Sequence, residues 1–133
     1  MVTPAEVQTR RAQREDAEAI ASAHLDSIRS IGPTFYPPEV VKEWASGITP
    51  DLYVNAMEGG EAFFIATGPI DGHPAALGFS THRVDDAQDG LSVYVRGGAA
   101  RRGIGTTLLR LAEAHALESG ATSIQIQAYR FSG

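Results

Sequence analysis

The sequence predicts an α+β fold, a mixed arrangement in which a mostly antiparallel central sheet is flanked by helices in the order β-α-α-β-β-β-α-β. Three observations carry that expectation. Mostly apolar residues recur at helical spacing early in the chain, at Ala17, Ile20, His24, Ile28 and Ile31, and again late, at Leu108, Leu111, Ala112 and His115. Between them lie three short runs of apolar, β-branched and aromatic residues, each bounded by turn-forming residues. A loop of glycines and arginines joins the last of these runs to the late helix.

Each element has a local reason. Val7 to Ala12 alternates well enough for a first strand, and Glu15-Asp16 puts acid where a helix N-terminus prefers it. The first helix is expected to end near Ser30, because Gly32-Pro33 interrupts its pattern. Pro37-Pro38 opens a second helical stretch with Val40, Val41 and Trp44 on adjacent turns, and a third, short one runs through Leu52, Val54 and Met57 to Gly59-Gly60. The three strand runs are Ala62 to Ala66, Ala76 to Ser80 and Leu91 to Val95, and Gly68 to Pro74 reads as a hairpin loop between the first two. An antiparallel meander is the simplest pairing. On the late helix Arg110 and Glu113 sit outside, Gly120 is placed as its C-terminal cap, and Ser123 to Tyr129 alternates as a half-covered strand would.

At 133 residues the chain is expected to form one domain, residues 1–133. A formal charge of -5 argues against a nucleic-acid binder driven by bulk electrostatics. The absence of cysteine excludes disulfides, a thiolate nucleophile and cysteine metal sites, and makes a reducing, cytoplasmic setting the expectation. No apolar run approaches the roughly 20 residues that span a bilayer, and Met1 to Glu6 lacks the features of a signal peptide, so no membrane partner is expected. His24, His73, His82 and His115 are scattered without ligand spacing, and no metal is expected.

The stretch from Tyr94 to Leu109, YVRGGAARRGIGTTLL, runs from a strand end through the glycine-arginine loop into a helix start. Glycines let the backbone approach an anion closely, and the first amides of a helix have no intrahelical partner. Arg101 and Arg102 add positive charge. The loop lacks the Gly-Lys-Ser/Thr ending of a nucleotide-triphosphatase loop and comes too late for a dinucleotide fold, so a kinase or dehydrogenase is not expected.

Val93-Tyr94-Val95, followed by Arg101-Arg102-Gly103-Ile104-Gly105-Thr106 and Leu108-Leu109, resembles the pyrophosphate-binding motif of the GNAT superfamily of acyl-CoA-dependent N-acyltransferases. Arg11 to Ala17 looks like that family's approach to its first helix, and Ala76-Leu77-Gly78-Phe79 like its third strand. The resemblance spans nearly the whole chain. It departs at Ala100, where the family usually carries Gln or Arg, and at Gly97, where Pro is common. Family members also continue past the strand at Ile124 to Ala128 with a further helix and strands. The domain is therefore expected to be C-terminally short, with its sheet completed by residues outside this sequence or by a partner chain. Pairing of two copies through that strand edge, a homodimer, is the corresponding expectation.

The resemblance implies acetyl-CoA as co-substrate and a primary amine of a small molecule or peptide as acceptor, with direct attack on the thioester. It places the pyrophosphate on Arg101, Arg102, Gly103, Ile104, Gly105 and Thr106, and the pantetheine along the fourth strand against Val93 and Val95. It also suggests Asp89 as the base that deprotonates the amine, and Tyr129, the late phenol, as acid to the leaving thiolate. Acceptor recognition falls in the loop from Ile31 to Pro38, where Phe35 and Tyr36 are candidates to wall a pocket. Each has a plainer alternative: Asp89 lies among turn acids, Tyr129 at a strand end, and Phe35 and Tyr36 in a proline-rich loop that they could simply anchor. Tyr94, His24 and His115 read as packing residues. A non-catalytic acyl-CoA-binding domain of the same fold is the alternative to an enzyme, ahead of a plain interaction module whose glycine loop binds nothing.

Overall fold

The computed structural model describes residues 7–85, 88–99, 103–122 and 124–126. Its sheet holds β1 (Gln8–Arg11), β2 (Ala62–Ile70), β3 (His73–Asp85), β4 (Gln88–Val95) and β5 (Ile124–Ile126), side by side in chain order. The first four are antiparallel, and β5 joins β4 in parallel. The helices are α1 (Ala17–Phe35), α2 (Pro38–Ser46), α3 (Pro50–Glu58) and α4 (Ile104–Glu118). The mixed, mostly antiparallel arrangement is the one the sequence predicts, and α3 is the short third helix read through Leu52, Val54 and Met57, which the eight-element order leaves out.

Side-chain alternation along the strands divides the interior in two. Leu91 and Val93 of β4 and Leu77 of β3 pack beneath Ile104, Leu108, Ala112 and Ala116, which recur every fourth residue on α4. On the other face Phe63, Ile65 and Phe79 meet Ala17, Ile20 and Ala21 of α1 and Tyr53 of α3. Ile20 and Leu108 are fully buried, and each contributes about 1.5–3 kcal/mol by leaving water. Gly78 shows how close the strands lie on this path: a Cβ there would come 2.6 Å from the Tyr94 carbonyl oxygen.

Several boundaries differ from the sequence expectation. Helix α1 does not stop near Ser30 but continues through Pro33 to Phe35, so most of the expected loop from Ile31 to Pro38 is helix. Proline removes one amide donor from a helix, but the turn is closed by Tyr36, whose N–H donates to the Gly32 carbonyl at 2.9 Å. Packing holds the segment as well: a Cβ on Gly32 would lie 3.1 Å from Val41 of α2. The expected hairpin loop from Gly68 to Pro74 shrinks to Asp71-Gly72, because φ of +50° and +80° at these residues matches the twist of the flanking strands. Gly120 does cap α4, at φ +94°, as expected. Among the described residues no helix is long and apolar enough to cross a membrane.

Candidate active site

Helix α4 starts where β4 ends. Gly103 takes a left-handed φ of +77° and turns the chain into the helix, a conformation that glycine adopts without strain. Its carbonyl accepts two bonds from Thr107, from the amide at 3.1 Å and from Oγ1 at 3.0 Å. Ile104, Gly105 and Thr106 form the first turn, whose amides have no carbonyl four residues back to bond within the helix. Ile104 anchors the turn in the core, while Gly105 lies against Val95, a Cβ there falling 3.5 Å from Val95 Cγ2. The open backbone of a first helical turn thus sits beside the end of β4, with the positive end of the helix dipole. Arg101, Arg102 and Ala100 lie outside the described residues.

The orientation of β4 follows from one bond. Arg96 donates its backbone N–H to Leu77 of β3 at 2.8 Å. Backbone groups alternate sides along an antiparallel strand, and the register is unbroken from Gly78 opposite Val95 to Asp85 opposite Gln88. The amides of Val93 and Val95 therefore point away from β3, toward the side on which β5 lies. The described residues of β5 pair only with Asp89, Gly90 and Leu91. The Val93 and Val95 amides face a stretch of β4 edge that this part of β5 does not reach.

Arg96 and Gly97 tie the start of the loop to α1. The Arg96 guanidinium donates from Nε to the Ala76 carbonyl at 2.6 Å and from Nη2 to Ser22 Oγ at 2.8 Å, and lies 3.8 Å from Asp26. Asp26 also accepts the Gly97 N–H at 3.0 Å. This accounts for glycine at a position where proline is common in the family that the sequence resembles. Proline has no N–H for Asp26, and any Cβ at residue 97 would come 2.9 Å from Ser30. Beside this clasp, Ser22, Leu25, Asp26, Arg29, Ile48 and Arg96 line an open groove of about 440 Å³.

A second constellation lies near the other end of α4, about 16 Å along the helix from Ile104 at 1.5 Å per residue. His82 of β3, only 3% exposed in its side chain, bonds Asp89 of β4 from Nε2 at 2.6 Å. An ionised carboxylate only accepts, so Nε2 carries the proton of that bond. The other ring nitrogen of His82 faces Nδ1 of His115 on α4 at 2.8 Å. Phe64 of β2 packs edge-on to His115, with ring centroids 5.9 Å apart. Burial first, then the charges of Arg11 and His82, hold the His115 imidazole below its usual range, against a smaller pull upward from Glu118. Sequence spacing did not single out His82, and His115, read from the sequence as a packing residue, does pack against Phe64 while also bonding His82. Only the β3–β4 register, which sets His82 opposite Leu91 and diagonal to Asp89, brings the group together.

The remaining candidates lie elsewhere. Tyr36 packs edge-on against Trp44 at 4.6 Å, and Phe35 is 55% exposed at the end of α1. Tyr129 lies outside the described residues. His24 is buried with its Nδ1 2.6 Å from the Tyr53 hydroxyl and its ring against Tyr94, in keeping with a packing role. Burial pushes the His24 imidazole down to about 4 from 6.5 and raises the Tyr53 phenol.

Comparison with known proteins converges on one family. The sequence model described as the acetyltransferase (GNAT) family matches residues 25–131. Among solved structures, the PaiA N-acetyltransferase of Thermoplasma acidophilum, in complex with coenzyme A, superposes with a TM-score of 0.75 over 90% of this chain and 77% of that one, at 19% identity. A GCN5-related N-acetyltransferase of Rhodopseudomonas palustris gives 0.69 over 91% and 71%, at 26% identity. Another from Ralstonia eutropha gives 0.69 over 93% and 84%, at 18% identity. A search of curated proteins finds no match. A matched region of that extent, on a fold shared with N-acetyltransferases of solved structure, means that the chain belongs to the GNAT family of acetyltransferases.

Proposed function

We propose that this acetyltransferase moves the acetyl group of acetyl-CoA to a primary amine of a small molecule or peptide, by direct attack on the thioester. One observation carries the reading: the open first turn of α4 lies beside a β4 edge whose Val93 and Val95 amides point outward, with Asp89 further along the same strand. These residues fit an extended phosphate-bearing thioester. The amides of Ile104, Gly105 and Thr106 suit the pyrophosphate, and around Gly103 a Cβ would meet nothing within 4 Å, so the backbone is open to an anion. Arg101 and Arg102 would add charge-assisted bonds. Amides at Val93 and Val95 would pair with the pantetheine as an added strand does, and one at Val95 would polarise the thioester carbonyl.

In the proposed reaction the amine lone pair attacks the carbonyl carbon, and the oxyanion that forms collapses with loss of the thiolate. The ammonium proton passes to Asp89, directly or through water, and the thiolate takes a proton from Tyr129 or solvent. Phe35, with its exposed ring, and Tyr36 would flank the acceptor on the α1–α2 side. Acetyl-CoA should raise the melting temperature of the chain, since a ligand bound only by the native state stabilises it. Thiol release from acetyl-CoA with lysine, spermidine, tyramine or a lysine peptide should then exceed release without amine. Binding with no release from any of them favours the non-catalytic acyl-CoA-binding domain, and the absence of a thermal shift overturns both readings.

A further inference from the structure

Asp89 does not stand alone, and its setting says more than a base role requires. A carboxylate that only had to accept a proton from an amine could be held by backbone amides or water. Here it is held by a buried imidazole from the neighbouring strand, itself held by a second imidazole from the helix above. The line Asp89, His82, His115 crosses the sheet from β4, beside β5, over β3 to the side of α4 that faces β2 and β1. His82 is enclosed, and the partly exposed members are the two ends, Asp89 and His115.

We propose, building on the base role of Asp89, that His82 is the positioning residue for that carboxylate and that His82 and His115 together hold one exchangeable proton that sets how strongly Asp89 is engaged. With two protons in the group, His82 Nε2–H donates to the Asp89 carboxylate and His115 Nδ1–H donates to His82 Nδ1. A third proton arriving from water at His115 Nε2 moves the Nδ1 proton of His115 across to His82 Nδ1. His82 is then an imidazolium against Asp89, and the net charge of the group has changed from -1 to 0. In the two-proton state the carboxylate serves the amine. In the three-proton state it is locked in an ion pair, and acetyl transfer slows. The proton thus belongs to the group and not to one residue.

Charged groups on neighbouring elements bear on that proton. Arg11 of β1 opposes it at His115, while Glu118 of α4 favours it. Glu61, just ahead of β2, favours the proton at the His82 end, and Arg83 of β3 acts on the Glu61 carboxylate. Glu61 is itself raised by burial, more than it is lowered by its bond to Thr81, by Arg83 and by His82 when protonated.

The test uses the full chain with histidine labelled in its ring nitrogens, followed by nuclear magnetic resonance through a pH titration without any ligand. His82 and His115 should titrate with a shared midpoint, and in both Asp89→Asn and His115→Phe the His82 midpoint should move to lower pH. An unmoved midpoint in the two variants overturns the shared proton. Alongside it, the pH profile of thiol release is measured with acetyl-CoA and the best acceptor of the four amines. His82→Gln, whose amide can still donate to Asp89 but cannot ionise, should keep the plateau within a few-fold and lose the acid step. His82→Phe should lower the plateau about tenfold or more. Equal profiles for wild type, His82→Gln and His82→Phe overturn the positioning role. Unchanged turnover in Asp89→Asn would instead remove the base reading, while the ring-nitrogen titration still decides whether the proton is shared.

Discussion

The two ends of α4 bring together different parts of the chain. At its start the groups on offer are backbone: a left-handed glycine, three amides with no intrahelical partner and the outward amides of β4. Near its end they are side chains, with Asp89, His82 and His115 held at 2.6 and 2.8 Å. A backbone site tolerates most substitutions that preserve φ and ψ, whereas a side-chain site is lost with one residue. That contrast predicts which mutations act on turnover and which act on binding.

The largest expected effect is at the side-chain end. Asp89→Asn should lower kcat about 100-fold or more, the usual scale for a general base, with little change in acetyl-CoA affinity. A parallel loss of affinity in a titration would show that the two ends are not separable. The next effect tests the helical face opposite α4. Because the folded His24 sits near 4 and the unfolded residue near 6.5, the unfolded chain binds the proton more readily between those values. Stability should therefore be full above pH 6.5 and fall by about 3 kcal/mol as pH drops toward 4, since each tenfold difference in proton affinity between the two states is worth about 1.4 kcal/mol. Chemical denaturation across that window reads it, and a His24→Gln variant with the same decline as wild type would remove His24 as the cause.

At the backbone end, replacing Arg101 and Arg102 together should weaken acetyl-CoA binding about tenfold or more, as loss of charge-assisted bonds does, while kcat at saturation holds. Unchanged affinity by calorimetry would refute their phosphate role. Gly97→Pro should have a smaller influence, about 1 kcal/mol of binding, by removing the bond to Asp26 and crowding Ser30. Asp26→Asn separates the two causes, since it keeps the space and weakens the bond. The smallest effect is at Thr107→Val, where losing the Oγ1 bond to Gly103 should lower stability by about 0.5–1 kcal/mol in thermal melts.

The helical elements were legible because a period near 3.6 records which face is buried, and α4 follows it from Ile104 to Ala116. Strand interiors were legible from their runs of apolar, β-branched and aromatic residues, but their ends were not. β3 runs to Asp85 and β2 to Ile70 because the partner strand, not the local composition, decides where hydrogen bonding stops. The passage of α1 through Pro33 likewise depended on Val41 from another helix. The glycine turn into α4 could be read from its residues, since Gly103, Gly105 and the helix behind them are contiguous. The Asp89 group could not, because its members come from β3, β4 and α4, and a histidine alone in a strand has no sequence mark of its partner.

What the sequence determined by itself was therefore local: the order of elements, the glycine turn into α4 and the residue types for an anion site, all set by backbone preference and side-chain periodicity. What only the tertiary structure decided was register. It turned the Val93 and Val95 amides outward, gave the Gly97 N–H to Asp26, and closed a line of three titratable side chains across the sheet. Register follows from packing two faces at once, and no window of consecutive residues contains that information.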